Sequence, residues 1–206
     1  MTGSPAWPGF FFLAAVLAAV PYVASANDNG LDYTWLEGGY VGSRYDLHTA
    51  TLDPASGSFD TRVDTRTADG WAVRGAVAIA PNFHLFGSYI TQDYPITDAE
   101  EWRAGVGYRH GISSKTDLLT GIAYQRSGDD FSSHDGWSVE AGVRAGLTRI
   151  EGYLLAGYQD YDGGIDGEVY GRLGAQVKFN PMWGISAEVM SIDGDNRFFI
   201  GPRASF

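Results

Sequence analysis

The chain has 206 residues, 25 Asp and Glu against 14 Lys and Arg, a formal charge of −11, 28 Gly and no Cys. That balance argues against nucleic acid, whose phosphates demand a basic footprint, and zero Cys removes disulfides, zinc–thiolate sites and cysteine nucleophiles. The length suits one domain or one barrel.

Residues 10–23, FFLAAVLAAVPYVA, are the longest apolar run, and ASA follows at 24–26. A membrane-spanning helix needs roughly 20 such residues, so this run is too short to span. Small residues at the −3 and −1 positions predict a secretory signal over 1–26, cleaved after Ala26 and leaving a barrel over 27–206. The leader departs from the usual pattern in one respect: MTGSPAWPG carries no Lys or Arg, so only the terminal amine supplies positive charge.

After residue 26 the pattern has a period of two. In GWSVEAGVRAGLT (136–148) Trp137, Val139, Ala141, Val143, Ala145 and Leu147 alternate with Ser138, Glu140, Gly142, Arg144, Gly146 and Thr148. That is a strand with one apolar and one polar face. The same alternation runs through 71–79, 101–109 and 168–179, and it predicts ten strands: 33–45, 70–80, 82–92, 101–110, 116–126, 136–148, 151–160, 167–179, 182–192 and 196–206. Short breaks at 81–82, 110–115, 148–151 and 180–181 alternate with longer Asp- and Gly-rich stretches around 46–69, 93–100, 127–135, 161–166 and 193–195. Short turns on one side, long loops on the other and an even strand count predict an all-β, antiparallel up-and-down transmembrane β-barrel. Eight strands with longer loops is the alternative.

Aromatic residues test the membrane reading. If strand 1 runs upward from the periplasm, the outward residues near the upper ends include Tyr40, Trp71, Tyr89, Trp102, Tyr124, Trp137, Tyr158 and Phe198. Near the lower ends sit Leu36, Ile79, Phe83, Tyr108, Leu147, Phe179, Trp183 and Phe206. Two girdles around an apolar band are what an outer-membrane wall requires, whereas a soluble sandwich has no reason to sort aromatics to strand ends. The last strand, RFFIGPRASF (197–206), alternates the same way and is expected to seal against the first, removing the open edge.

The opposite parity points a charged set into the lumen. The acids are Glu37, Glu101, Asp117, Glu140, Glu168 and Glu188, and the bases are Arg74, Arg103, Arg109, Arg144, Arg172, Lys178, Arg197 and Arg203. A charge left unpaired in a narrow barrel costs several kcal/mol. Neighbouring strands are therefore expected to pair Arg with Glu as a rigid plug, the alternative being a narrow pore for small ions or solutes. A strongly selective pore would show one sign in excess, and this lining does not.

Outside the barrel, Asp129, Asp130, Asp160, Asp162, Asp166, Asp193 and Asp195 sit among turn-forming glycines. They lack the D-x-D-x-[DN]-G spacing and the distal bidentate Glu of a calcium loop, so the expectation is solvated turns with no metal site; a weak cation bridge to lipopolysaccharide is the sharper alternative. Residues 46–69, Thr- and Asp-rich with Arg62 and Arg66, read as the longest surface loop and the place for a surface partner. SSHD (132–135) sets Ser, His and Asp side by side, but a catalytic relay converges in space from separate elements. No catalytic residues and no cofactor are expected.

YTWLEGGYVGS (33–43), DGWAVRGAVAIAPNFHLFGSY (69–89), EWRAGVGYRH (101–110), DGWSVEAGVRAGL (135–147), YGRLGAQVKFNPMWGISAEV (170–189) and FIGPRASF resemble a family of small gammaproteobacterial outer-membrane barrels known as sulfation-dependent quorum factor or immunity-activator proteins. The resemblance implies a porin-like barrel of a Gram-negative outer membrane and its vesicles, with a signalling role but no established reaction; the paired lining and the surface loops point to structural and surface-contact roles. It implies lipid and lipopolysaccharide as surroundings. The terminal strand also resembles the signal read by barrel-assembly machinery.

Overall fold

The structure is a computed structural model, and it describes residues 31–52, 59–95, 97–129 and 131–206. The expected leader, 1–26, and Asp130 lie outside the described residues. Ten strands follow one another: β1 (Trp35–Leu52), β2 (Phe59–Ala80), β3 (Phe83–Asp93), β4 (Asp98–Ser113), β5 (Thr116–Asp129), β6 (Ser133–Leu147), β7 (Ile150–Tyr161), β8 (Ile165–Lys178), β9 (Trp183–Ile192) and β10 (Asp195–Ser205). Each pairs antiparallel with its chain neighbours, and β1 pairs with β10, closing a ten-stranded barrel. The eight-strand alternative is set aside.

The period-two sequence explains this architecture. Alternating faces leave an apolar surface that water would penalise on one side and a polar surface that lipid would penalise on the other; closure satisfies both and leaves no edge in the bilayer. Short turns hold the hairpins. At β9–β10 the two linking residues, Asp193 and Gly194, have φ of 44° and 90°, the pair of positive values a two-residue type I′ turn needs.

At the closing seam Glu37 lies opposite Arg203 and Tyr40 opposite Ile200. Between them the backbones press together: a Cβ on Gly39 would run into the carbonyl oxygen of Ile200, and one on Gly201 into that of Gly38. Phe206 N–H donates to the Thr34 carbonyl at 2.9 Å, tying the last residue to the chain just ahead of β1.

Most strand ends shift from the sequence reading by one to three residues, and the first hairpin differs in ways that matter. Strand 1 begins at Trp35 rather than residue 33, because Leu31–Thr34 turn into the lumen, each at most 5% exposed apart from Asp32. The expected loop 46–69 is largely strand. β1 and β2 pair in unbroken register from Trp35↔Ala76 to Leu52↔Phe59, so the first hairpin stands above the rim as a two-stranded ribbon. The polar, Asp-rich composition suggested a loop because Asp is depleted from strands, yet Thr61, Val63, Thr65 and Thr67 alternate with charged residues, and β-branched Thr and Val suit a solvated strand.

Candidate functional site

The candidate site is the lumen. Its lower mouth is filled by the segment before β1. Leu31 and Tyr33 pack against Ala78 and Leu119, and the Tyr33 hydroxyl donates to Asp117 at 2.8 Å. The guanidinium groups of Arg109 and Arg144 lie 4.2 and 4.7 Å from the Tyr33 ring centroid, and Arg109 Nε also donates to the Pro81 carbonyl at 2.8 Å. Arg144 bonds Glu151, which bonds Lys178, and Lys178 Nζ reaches Asp32 at 2.7 Å.

Higher up, one chain of ion pairs crosses the barrel. It runs from Arg203 to Glu37 (3.9 Å), Glu37 to Arg74 (2.7 Å), Arg74 to Glu188 (2.6 Å), Glu188 to Arg172 (2.7 Å), Arg172 to Glu140 (3.0 Å) and Glu140 to Arg103 (3.1 Å). These residues come from β10, β1, β2, β9, β8, β6 and β4, so the ladder links opposite walls of the barrel. Hydroxyls complete it: Tyr153 donates to Glu188, Tyr170 to Glu140 at 3.0 Å and Ser186 to Glu37 at 2.6 Å. Arg74 also stacks over Phe199 at 3.8 Å and Arg203 over Trp35 at 3.9 Å. From Glu37 to Arg103, repeated pairing and hydrogen bonding make these buried ions tolerable, whereas Arg203 at the end of the ladder is held more loosely, its Nε and Nη2 buried without a hydrogen bond.

Above the ladder, Arg197 bonds Glu101 at 3.0 Å. Gln92 donates to Ser43 at 2.8 Å, and Gln159 lies 3.5 Å from Glu168. The space left among these side chains is a cavity of about 150 Å³ reaching from Tyr33 to Arg197. That is room for water but well under the roughly 300–1,000 Å³ of small-molecule sites.

All fourteen charged residues proposed for the lining thus occur in or beside these three layers. The sequence reading missed Glu151 and Asp32, which raise the six lumenal acids to eight against eight bases. Glu151 stands where the expected break 148–151 overlaps the first position of the expected strand 151–160; β7 starts at Ile150, and extending the inward parity of Tyr153 by one step finds it. Asp32 gave no such signal, because it lies ahead of the strand pattern, whereas Tyr33 shares the inward parity of Glu37.

On the outside, Tyr40, Trp71, Tyr124, Trp137, Tyr158 and Phe198 are exposed at one level, with Tyr89 and Trp102 half-exposed beside them. Phe179, Trp183 and Phe206 are exposed at the other end. Six upper rings form three pairs diagonally across hairpins: Trp71 with Tyr89 at 5.5 Å, Trp102 with Tyr124 at 5.2 Å and Trp137 with Tyr158 at 5.7 Å. A polar interior, an apolar exterior and these two aromatic rims make this an outer-membrane type of barrel.

The SSHD stretch does not assemble a relay. His134 faces Asp162 at 3.9 Å, whereas the Ser133 hydroxyl is taken by Arg126 at 2.7 Å. Asp129 accepts the backbone N–H groups of Phe131 and Ser132 at 2.8 and 2.7 Å, which hold its carboxyl below the usual range. These carboxylates organise their own turns. Among the described residues no group of three or more His, Asp or Glu is placed to hold a metal ion.

No protein-family model matches the chain, and no curated protein does. Solved structures that are similar in architecture include a porin, an attachment protein and an outer membrane protein. The KdgM porin in complex with disordered oligogalacturonate is 10% identical over 83% of this chain and 99% of its own, with a TM-score of 0.45. Ail, the attachment invasion locus protein of Yersinia pestis, is 12% identical over 85% and 100%, with a TM-score of 0.39. OprG from Pseudomonas aeruginosa is 11% identical over 86% and 98%, with a TM-score of 0.40.

Proposed function

We propose that this barrel serves as a rigid wall and an outward contact surface of the outer membrane and its vesicles, rather than as a conduit or an enzyme. The observation that carries the reading is the ion ladder from Arg203 to Arg103, which ties opposite walls together through the middle of the lumen. A conducting path would have to displace side chains whose charges are mutually paired, and each broken buried pair costs about 3–5 kcal/mol. With the interior committed to structure, function falls to lipid, lipopolysaccharide and the residues above the rim, where barrels keep what varies. The resemblance to the quorum-factor family supports a role in cell–cell or host signalling exercised from that surface, after insertion through barrel-assembly machinery that reads the C-terminal strand.

A narrow pore is the second reading, favoured by the cavity of about 150 Å³ that reaches from Tyr33 to Arg197. Single-channel recording decides between them. The predicted mature chain, 27–206, would be refolded, checked for heat-modifiable migration on gels and placed in a planar bilayer. The wall reading expects a folded barrel that stays silent. Steady, reproducible current steps would replace it with the pore, and their loss of selectivity on replacing Arg74, Arg144 or Arg172 would place the function in the lining.

A further inference from the structure

The ribbon formed by the upper parts of β1 and β2 has two long edges. β2 pairs with β3 only as far up as Asp69↔Asp93. Above that point, among the described residues, no strand lies against residues 59–68 on the side away from β1. The β1 edge differs, because at its base the Asp46 N–H donates to Asp195 at 3.3 Å. An open edge presents backbone donors and acceptors to any strand that fits, and charged residues usually guard it. Here the guards alternate in sign: Arg62, Asp64 and Arg66 share one face, and Arg62 pairs along the strand with Asp64 at 3.3 Å.

That alternation is self-complementary. Residues 60–66 read DTRVDTR. When two copies run antiparallel about Val63, Arg62 of each lies opposite Asp64 of the other, Thr61 opposite Thr65 and Val63 opposite Val63; Asp60 takes the register position facing Arg66. Opposite charges and β-branched residues facing each other are the favourable cross-strand pairs. The neighbouring registers are penalised. Centring on Arg62 sets Arg62 against Arg62, and centring on Asp64 sets Asp64 against Asp64 and Arg62 against Arg66. Parallel pairing in register sets every charge against itself. The stretch is neutral in an acidic chain, with two acids and two bases, so its own charge does not oppose the contact. A pattern that repels generic strands while accepting one register of its own copy is how specificity is built against alternatives.

We infer that the β2 edge of the ribbon is a self-association site whose partner is a second copy of this chain, paired antiparallel about Val63. The inference rests on the contact-surface reading above and names its partner. The arrangement also has a direction. The twofold axis relating antiparallel edge strands is perpendicular to the ribbon, and the ribbon continues the barrel wall without a register break. The two barrels therefore stand in facing membranes, cell against cell or vesicle against cell. Val63 lies six residues beyond Asp69, roughly 20 Å above the rim at about 3.3 Å per residue, ahead of the shorter hairpins.

The absence of native cysteine makes the test direct. Opposed Cα atoms in an antiparallel pair lie about 4.5–5.5 Å apart, within disulfide reach. Val63→Cys in the refolded full chain should oxidise to a covalent dimer, whereas Thr61→Cys, which faces Thr65, should not. Adding Arg62→Asp or Asp64→Arg to Val63→Cys should lower the yield roughly tenfold, and mixing those two proteins should restore it, because each then supplies the charge the other lacks. Vesicles carrying the wild-type barrel should cluster, and vesicles carrying either charge reversal alone should not. Equal crosslinking from Val63→Cys and Thr61→Cys, or a yield indifferent to charge reversal, overturns the register. Crosslinking without vesicle clustering overturns the facing-membrane arrangement. If Val63→Cys stays monomeric while removal of 46–69 still abolishes surface contact by cells, self-pairing falls and the contact-surface reading stands. Channel currents would remove that reading whatever the crosslink shows.

Discussion

β1 and β2 pass through two different physical regimes along their own length. Below Tyr40 and Trp71 they contribute Glu37 and Arg74, buried charges pinned from several walls at once. Above Asp69 β2 carries Arg62 and Asp64, which touch along that one strand while Arg62 stays 78% exposed. The ion pairs look alike at 2.7 and 3.3 Å, but their energetic meaning is opposite. A buried pair holds the fold because losing one partner strands the other in low dielectric, whereas a solvated pair contributes little to stability and is available to a new partner. Charge patterning therefore serves rigidity in one half of the hairpin and recognition in the other.

That contrast can be broken most severely at Glu188. Glu188→Ala leaves Arg74, Arg172 and the Tyr153 hydroxyl without their shared acceptor; a loss of about 3–5 kcal/mol is expected, read as a lower urea midpoint of the refolded barrel. Wild-type stability in that variant would mean that the ladder does not hold the walls. Next comes the lower plug. Leu31 is 1% exposed, so Leu31→Ala should cost roughly 2–5 kcal/mol by leaving a cavity, and protease added from the periplasmic side should then cut near 31–34.

The seam should respond more mildly. Gly39→Ala forces the β1 and β10 backbones apart near Ile200, and an overpacking penalty of about 1–3 kcal/mol should lower the temperature at which the barrel opens in detergent gels. The smallest effect belongs to the ribbon. Thr65 donates to Asp46 at 2.8 Å on an exposed face, so Thr65→Ala should change stability by no more than about 0.5 kcal/mol. A larger loss in unfolding experiments would show that the ribbon is part of the folding core after all.

The wall was legible in the alternation alone. Alternation fixes which residues share a face, because successive strand side chains point to opposite sides, and aromatic residues at the strand ends mark where that wall meets the headgroups. From parity alone Glu140, Arg172 and Glu188 fall on the inner face and Trp137 and Phe198 on the outer. Parity carries no information across the lumen, however. That Arg74 reaches Glu188, that Glu140 takes both Arg172 and Arg103, and that Leu31–Thr34 fill the lower mouth were decided only when closure brought strands that are not neighbours in the sheet within about 3 Å. The ribbon followed the same division. Its Thr and Asp read as loop from composition, while its strand pairing depends on register inherited from the barrel below, a property of the closed sheet rather than of any short stretch of chain.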